Sequence, residues 1–168
     1  RLAGWALGMT PLVSVDPPDC LLLDMTGVPY RPPQGSAGSG PDAAEAALIA
    51  ATARRLAARG FTAAMAISGN PALALAMART GHGNPGTSPA EAGPGDIPLA
   101  SLRLPAAQLA ALHRLGLRQL RDAAVLPRGP LALRFGEAMA GRLDAMAGRR
   151  RVPLQSVRPP VEFALHLD

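Results

Sequence analysis

The 168-residue sequence predicts an α+β fold in two parts: a small antiparallel or mixed sheet with helices on one face, then an all-helical unit. Three observations predict it. Thr10 to Gly27 holds two short apolar runs separated by Asp16-Pro17-Pro18-Asp19, the pattern of a strand hairpin. Between Pro41 and Arg79, two helical patterns flank a short alternating run. From Ile97 the apolar spacing becomes helical, and glycine and proline punctuate the helices.

In the hairpin, Leu12-Val13-Ser14-Val15 is β-prone, and the two prolines of the turn fix the backbone and remove ladder donors. Leu21-Leu22-Leu23-Asp24-Met25 is apolar on both faces, as in a buried strand. Val28 to Gly40 is a Pro/Gly/Ser loop. A helix is expected from Pro41-Asp42 to Arg59, with Asp42 as N-cap, Glu45 completing a near capping box, and Ala47, Leu48, Ala51 and Leu56 as its buried stripe. Gly60 stops it. Phe61 to Ile67 alternates as a strand does, and Asn70-Pro71 caps a helix running through Arg79. Thr80 to Asp96 reads as a Gly/Pro-rich linker. Helices are then expected at Pro105 to Arg114 (Leu109 and Leu112 sharing a face), Gln119 to Leu126, Pro130 to Phe135 and Glu137 to Ala147, with a tight turn at Leu115-Gly116-Leu117. Gly148 and Arg149-Arg150-Arg151 end the unit, Val152 to Pro160 is a linker, and Val161 to Leu167 reads as the first strand of a further domain. No repeat marks a solenoid.

Composition narrows the class. Apolar residues make up 48% but aromatics only 3%, so the core must be built from Leu and Ala. No apolar run approaches the ~20 residues needed to cross a bilayer, and no membrane partner is expected. Arg1-Leu2-Ala3-Gly4-Trp5 lacks both an initiating Met and a secretory signal, and reads as mid-domain sequence from a fragment. Cys20 is the only cysteine, which excludes an internal disulfide or a cysteine-rich zinc site and fits a reducing cytoplasm. The net charge is +5, and all 17 basic residues are arginine. GC-rich coding explains the missing lysine; the excess positive charge points weakly to a polyanion partner.

Three segments, in order, carry a family resemblance. Leu12-Val13-Ser14-Val15-Asp16 with Leu23-Asp24-Met25-Thr26-Gly27 resembles the palm hairpin of Y-family translesion DNA polymerases. Ala66-Ile67-Ser68-Gly69-Asn70 resembles that family's second palm segment. Leu112-His113-Arg114-Leu115-Gly116-Leu117, with Leu120-Arg121-Asp122 and Arg134-Phe135-Gly136, resembles its helix-hairpin-helix thumb, and Arg158 to Phe163 looks like entry to the little-finger domain. Thr10-Pro11-Leu12-Val13 and Pro18-Asp19-Cys20-Leu21-Leu22-Leu23-Asp24 resemble the ImuB-like, catalytically defective branch. The resemblance implies a partial palm over 1–96, a thumb over 97–150, and a linker with the start of a little finger over 151–168.

It also implies what catalysis would require. Two-metal nucleotidyl transfer needs neighbouring carboxylates that hold divalent ions ~3.5–4 Å apart. Active members supply an adjacent Asp-Glu pair. Aligned on Leu23-Asp24-Met25-Thr26, the pair falls on Asp19 and Cys20; aligned on Ser14-Val15-Asp16, the Glu slot holds Pro17. Neither a thiol nor a proline suits Mg²⁺, so Asp16 and Asp19 read as vestigial positions and no catalytic or metal residue is expected. The two triphosphate-binding lysine slots hold Pro71 and Leu75. No cofactor is expected, Mg²⁺ being required only if the chain is an active low-fidelity polymerase.

The thumb offers the better functional signal. A helix-hairpin-helix binds DNA non-specifically, its glycine turn letting backbone amides approach a phosphate. The candidate nucleic-acid-binding residues are therefore Arg114, Leu115, Gly116, Leu117, Arg118 and Arg121. The motif departs from the family's in having one glycine, and Gln119 and Arg121 where Thr and Gly are usual. Arg149-Arg150-Arg151 is either a DNA contact or a solvated linker. His82, His113 and His166 have no ligand spacing, Cys20 in a turn has no evident base, and the methionines are core filler. The implied role is a non-catalytic accessory that binds DNA and scaffolds error-prone translesion synthesis in the bacterial cytoplasm, at the nucleoid. Its implied partners are DNA, an error-prone replicative-type polymerase, a RecA-like accessory protein, and a sliding clamp reached through sequence beyond this stretch. The alternatives are the active polymerase and a generic helix-hairpin-helix module on an unrelated domain.

Overall fold

A computed structural model describes residues 2–30, 41–81 and 94–157. The fold is α+β: seven α-helices and one two-stranded antiparallel sheet among the described residues. The chain divides into two compact units. One combines residues 1–29 with 153–168, and the other spans 30–152.

The first unit holds α1 (Leu2–Ala6), β1 (Val13–Asp16) and β2 (Cys20–Leu23). The strands pair Val13 with Leu23 and Asp16 with Cys20, so Val13, Val15, Leu21 and Leu23 share one face. Val13 and Ala6 are fully buried where α1 packs against β1. The hairpin's open end is closed by the chain itself: the Asp24 amide donates to the Leu12 carbonyl at 2.9 Å, and the Thr10 hydroxyl donates to the Asp24 carbonyl. The expected hairpin is present. Cys20, however, lies in β2 rather than in the turn, because the turn uses only Pro17, Pro18 and Asp19. The stretch expected to be a plain linker also pairs: the Val157 amide donates to the Val13 carbonyl at 2.6 Å, and Ser156 bridges Ser14. The expected strand at Val161 to Leu167, like most of the Thr80 to Asp96 linker, lies outside the described residues.

The second unit begins with α2 (Pro41–Ala57), two residues shorter than expected, and here Asp42 sits inside the first turn rather than capping it. Leu56 is buried as expected; Ile49, seven residues earlier on the same face, is buried too, whereas Ala47, Leu48 and Ala51 are half-exposed. Gly60 ends this stretch with φ +78. The expected strand at Phe61 to Ile67 is absent: residues 61–68 have no regular structure, and Phe61 is 49% exposed. Alternation along one segment supplies no neighbouring backbone, and a strand needs that neighbour for its ladder.

The core of this unit is helical. α3 (Pro71–Thr80), α4 (Ala106–Arg114), α5 (Leu120–Ala124), α6 (Arg128–Phe135) and α7 (Glu137–Met146), with a short 3₁₀ turn at Leu99–Leu102, bury Met77, Ile97, Leu99, Leu112, Leu120, Leu131, Phe135, Met139, Leu143 and Met146 together. Asn70 joins two of these helices. Its Oδ1 accepts from the Ala72 and Leu73 amides at the start of α3, and its Nδ2 donates to the Ala145 and Met146 carbonyls at the end of α7, at 2.8 and 2.9 Å.

A buried carboxylate fastens α6 to α7. Asp144 accepts from Arg128 Nε at 2.8 Å and Arg149 Nε at 2.9 Å, while Arg128 also reaches Glu137 at 2.7 Å. The bonds from Arg128, then Arg149, hold the Asp144 carboxyl below the usual carboxylate range, against the opposing effect of burial. A carboxyl depressed in this way adds stability that is complete above its unfolded pKa of about 4 and is lost as pH falls through the lower folded value. Thermal melts of the wild type should therefore lose stability below about pH 4 by more than those of Asp144→Asn. Parallel acid profiles would remove Asp144 from the account.

Candidate nucleic-acid interface

The hairpin from α4 to α5 holds Arg114, Leu115, Gly116, Leu117, Arg118 and Arg121, the six residues of the expected DNA-binding motif. Leu112, fully buried, seats α4, and Leu109 packs beside it. The helix then ends in a left-handed turn. Gly116, at φ +80, donates to the His113 carbonyl, and Leu117 donates to the Leu112 carbonyl, each at 3.0 Å. This is the paired bonding of a Schellman C-cap, and the positive φ is what calls for glycine. Leu117 turns back against the core while Leu115 stays 46% exposed.

The start of α5 is capped by its own acid. Asp122 accepts from the Arg118 and Gln119 amides at 2.9 Å each, and these two backbone donors pull its carboxyl below the usual range. The Leu120 amide donates to the Ile97 carbonyl at 2.8 Å, and the Leu99 amide donates to the Arg118 carbonyl at 2.9 Å. The segment 97–99 thus pins the hairpin from the side. Each amide from Leu115 to Leu120 has an internal acceptor. A phosphate held by the Gly116 backbone amide, which the sequence motif implies, would have to displace one of these bonds.

What remains for a polyanion is side-chain charge. Arg114, at the end of α4, and Arg118, in the turn, are exposed and make no ion pair among the described residues. Arg121 is the second residue of α5, and its guanidinium is ion-paired with Asp96. The structure therefore gathers Arg114, Leu115, Gly116, Leu117 and Arg118 into one continuous turn and holds Arg121 beside it against an acid. Sequence reasoning missed Asp96 and Asp122. The three-residue spacing of Gln119 and Asp122 was a capping signal; nothing in the sequence marked Asp96.

The other arginine cluster is largely occupied. Arg149 is bonded to Asp144, and Arg150 lies so close over Gly141 that a Cβ there would fall 2.8 Å from its guanidinium. Each thus touches α7 while staying exposed to solvent. His113 is exposed on the last turn of α4, while His82 and His166 lie outside the described residues.

Asp16 and Asp19, expected from the resemblance to be vestigial catalytic positions, sit at the β1–β2 tip. Asp16 ends β1 opposite Cys20, and the Cys20 thiol donates to Asp19 Oδ1 at 3.3 Å. Asp24 is turned away to its own loop, accepting from the Thr26 amide at 2.9 Å; its bonds to Thr26 hold its carboxyl below the usual range. Among the described residues, no three His, Cys, Asp or Glu side chains are grouped to hold a metal ion. At this tip the ligand-type groups are the carboxylates of Asp16 and Asp19 and the thiol of Cys20, and a thiol is a poor partner for a hard divalent ion.

The chain is similar to ImuB. Over 160 residues it is 36% identical to Protein ImuB of Caulobacter vibrioides, in strain NA1000 / CB15N and again in strain ATCC 19089 / CIP 103742 / CB 15. The match covers 94% of this chain and 33% of each relative, so the chain spans about a third of the length of the curated relatives it matches. No family model matches the chain, and no solved structure matches it. No helix among the described residues is long and apolar enough to cross a membrane.

Proposed function

We propose that the chain is the palm and thumb portion of an ImuB-type accessory protein, shaped like a Y-family polymerase, that grips duplex DNA and scaffolds error-prone translesion synthesis without adding nucleotides. The observation that carries this reading is the 36% identity to ImuB across 94% of the chain. In this reading residues 1–96 correspond to a partial palm, 97–150 to the thumb, and 151–168 to the passage into a little finger. The partners are DNA, an error-prone replicative-type polymerase, a RecA-like accessory protein and, through sequence elsewhere, a sliding clamp.

Two features support a non-catalytic role. The hairpin tip offers Asp16, Asp19 and a thiol where nucleotidyl transfer needs a carboxylate pair. The slots for two triphosphate-binding lysines hold Pro71, in the first turn of α3, and Leu75. An uncharged helix start replaces the cations that would neutralise the transferring phosphates.

The grip on DNA is assigned to Arg114 and Arg118. Each guanidinium that neutralises a phosphate contributes about −0.9 to the slope of log affinity against log salt. Duplex binding by the intact protein should weaken steeply between about 50 and 200 mM NaCl. Arg114→Gln and Arg118→Gln should each lower affinity several-fold and make the slope shallower by about 0.9. The intact protein should extend no primer with Mg²⁺ or Mn²⁺. Template-dependent extension that disappears in Asp19→Asn would overturn the reading in favour of an active polymerase.

A further inference from the structure

We propose that Asp96 is a built-in brake on DNA binding: it occupies the Arg121 guanidinium that a backbone phosphate would otherwise take. The inference rests on the nucleic-acid reading of the hairpin and concerns its regulation. Three residues of α4, the turn and α5 were expected to carry its charge: Arg114, Arg118 and Arg121. Only the first two are without an acidic partner among the described residues. The third is held by an acid 25 residues earlier in the chain.

The local packing is built for that contact. Pro94–Asp96 form a short 3₁₀ turn packed on α5. Gly95 permits the approach, because a Cβ at that position would lie 3.1 Å from the Cβ of Arg121. The turn's backbone therefore rests on the stem of the arginine whose head its next residue binds. Both partners keep solvent contact, with side-chain exposures of 61% for Arg121 and 39% for Asp96, so an incoming phosphate can compete for the guanidinium. Exposed ion pairs are weak, so a backbone phosphate, which also accepts from a guanidinium, can compete with one exposed carboxylate. The brake is therefore partial: it removes one contact from the resting hairpin and leaves it recoverable.

The test measures binding of the full chain to a 20-base-pair duplex by fluorescence anisotropy across a series of NaCl concentrations. Asp96→Asn should bind about threefold to tenfold tighter at low salt, and its slope should steepen by about 0.9, the signature of one added phosphate contact. Asp96→Ser, which removes the carboxylate with a different side chain, should do the same. Adding Arg121→Gln to Asp96→Asn should abolish both gains. Circular dichroism melts verify that each variant remains folded. Unchanged or weaker binding by folded Asp96→Asn and Asp96→Ser, with the wild type still binding, would overturn the brake alone. Loss of binding by the wild type and all variants would remove the nucleic-acid reading and the brake together.

Discussion

Asn70→Ala should destabilise the helical unit by about 2–4 kcal/mol, because one side chain serves two helix ends. The substitution strips an acceptor from the Ala72 and Leu73 amides and a donor from the Ala145 and Met146 carbonyls. An N-cap alone is worth about 1 kcal/mol, and the two carbonyl bonds add a similar amount each. Thermal denaturation should show a Tm lower by about 5–15 °C. Asn70→Asp separates the two roles. It keeps the acceptor for α3 but sets a negative oxygen against two carbonyls at the C-terminal, electronegative end of α7. It should therefore be no better than Ala. A loss below about 1 kcal/mol for Asn70→Ala would show that the bridge to α7 adds nothing.

Leu112→Ala should cost about 3–5 kcal/mol, the upper range for a leucine that cannot be replaced by inward collapse. Leu112 is 0% exposed and belongs, with Leu99, Leu120 and Met139, to a core whose described buried residues include one aromatic, Phe135. The Leu112 carbonyl also receives the Leu115 and Leu117 amides, so a disturbed α4 end loosens the turn that presents Arg114 and Arg118. Urea denaturation should show a lower midpoint at unchanged slope. Leu109→Ala, at a half-buried position on the same helix, should cost distinctly less. Equal losses would mean that the core closes over Leu112 more readily than its burial implies.

What could be read in advance follows from how local each signal is. Helices α3, α4, α6 and α7 lie close to where periodicity and caps put them, since Asn70-Pro71, Gly116 and Gly136 act on their immediate neighbours. The hairpin was readable because Asp16-Pro17-Pro18-Asp19 is turn chemistry between apolar runs. The Phe61 strand was misread because pairing depends on a second backbone, about which one segment's alternation is silent. At the candidate site the residues that contact solvent were readable, but their state was not. The Gly116 turn is where the motif puts it, yet its amides serve the C-cap; Arg121 is on α5, yet it is paired across 25 residues with Asp96. Such partners depend on tertiary folding and leave no local pattern.

The pairing of residues 156 and 157 with β1 sets an order of events during synthesis. The first unit draws on both 1–29 and 153–168, with the second unit encoded between them. A growing chain therefore exposes the hairpin early but delivers its third backbone only after more than a hundred further residues have emerged. At elongation rates of roughly 5–20 residues per second that is a wait of several seconds or more. Throughout that interval one side of β1 presents unpaired donors and acceptors, the moment when the nascent polypeptide is most open to chaperones or to mispairing with a neighbour.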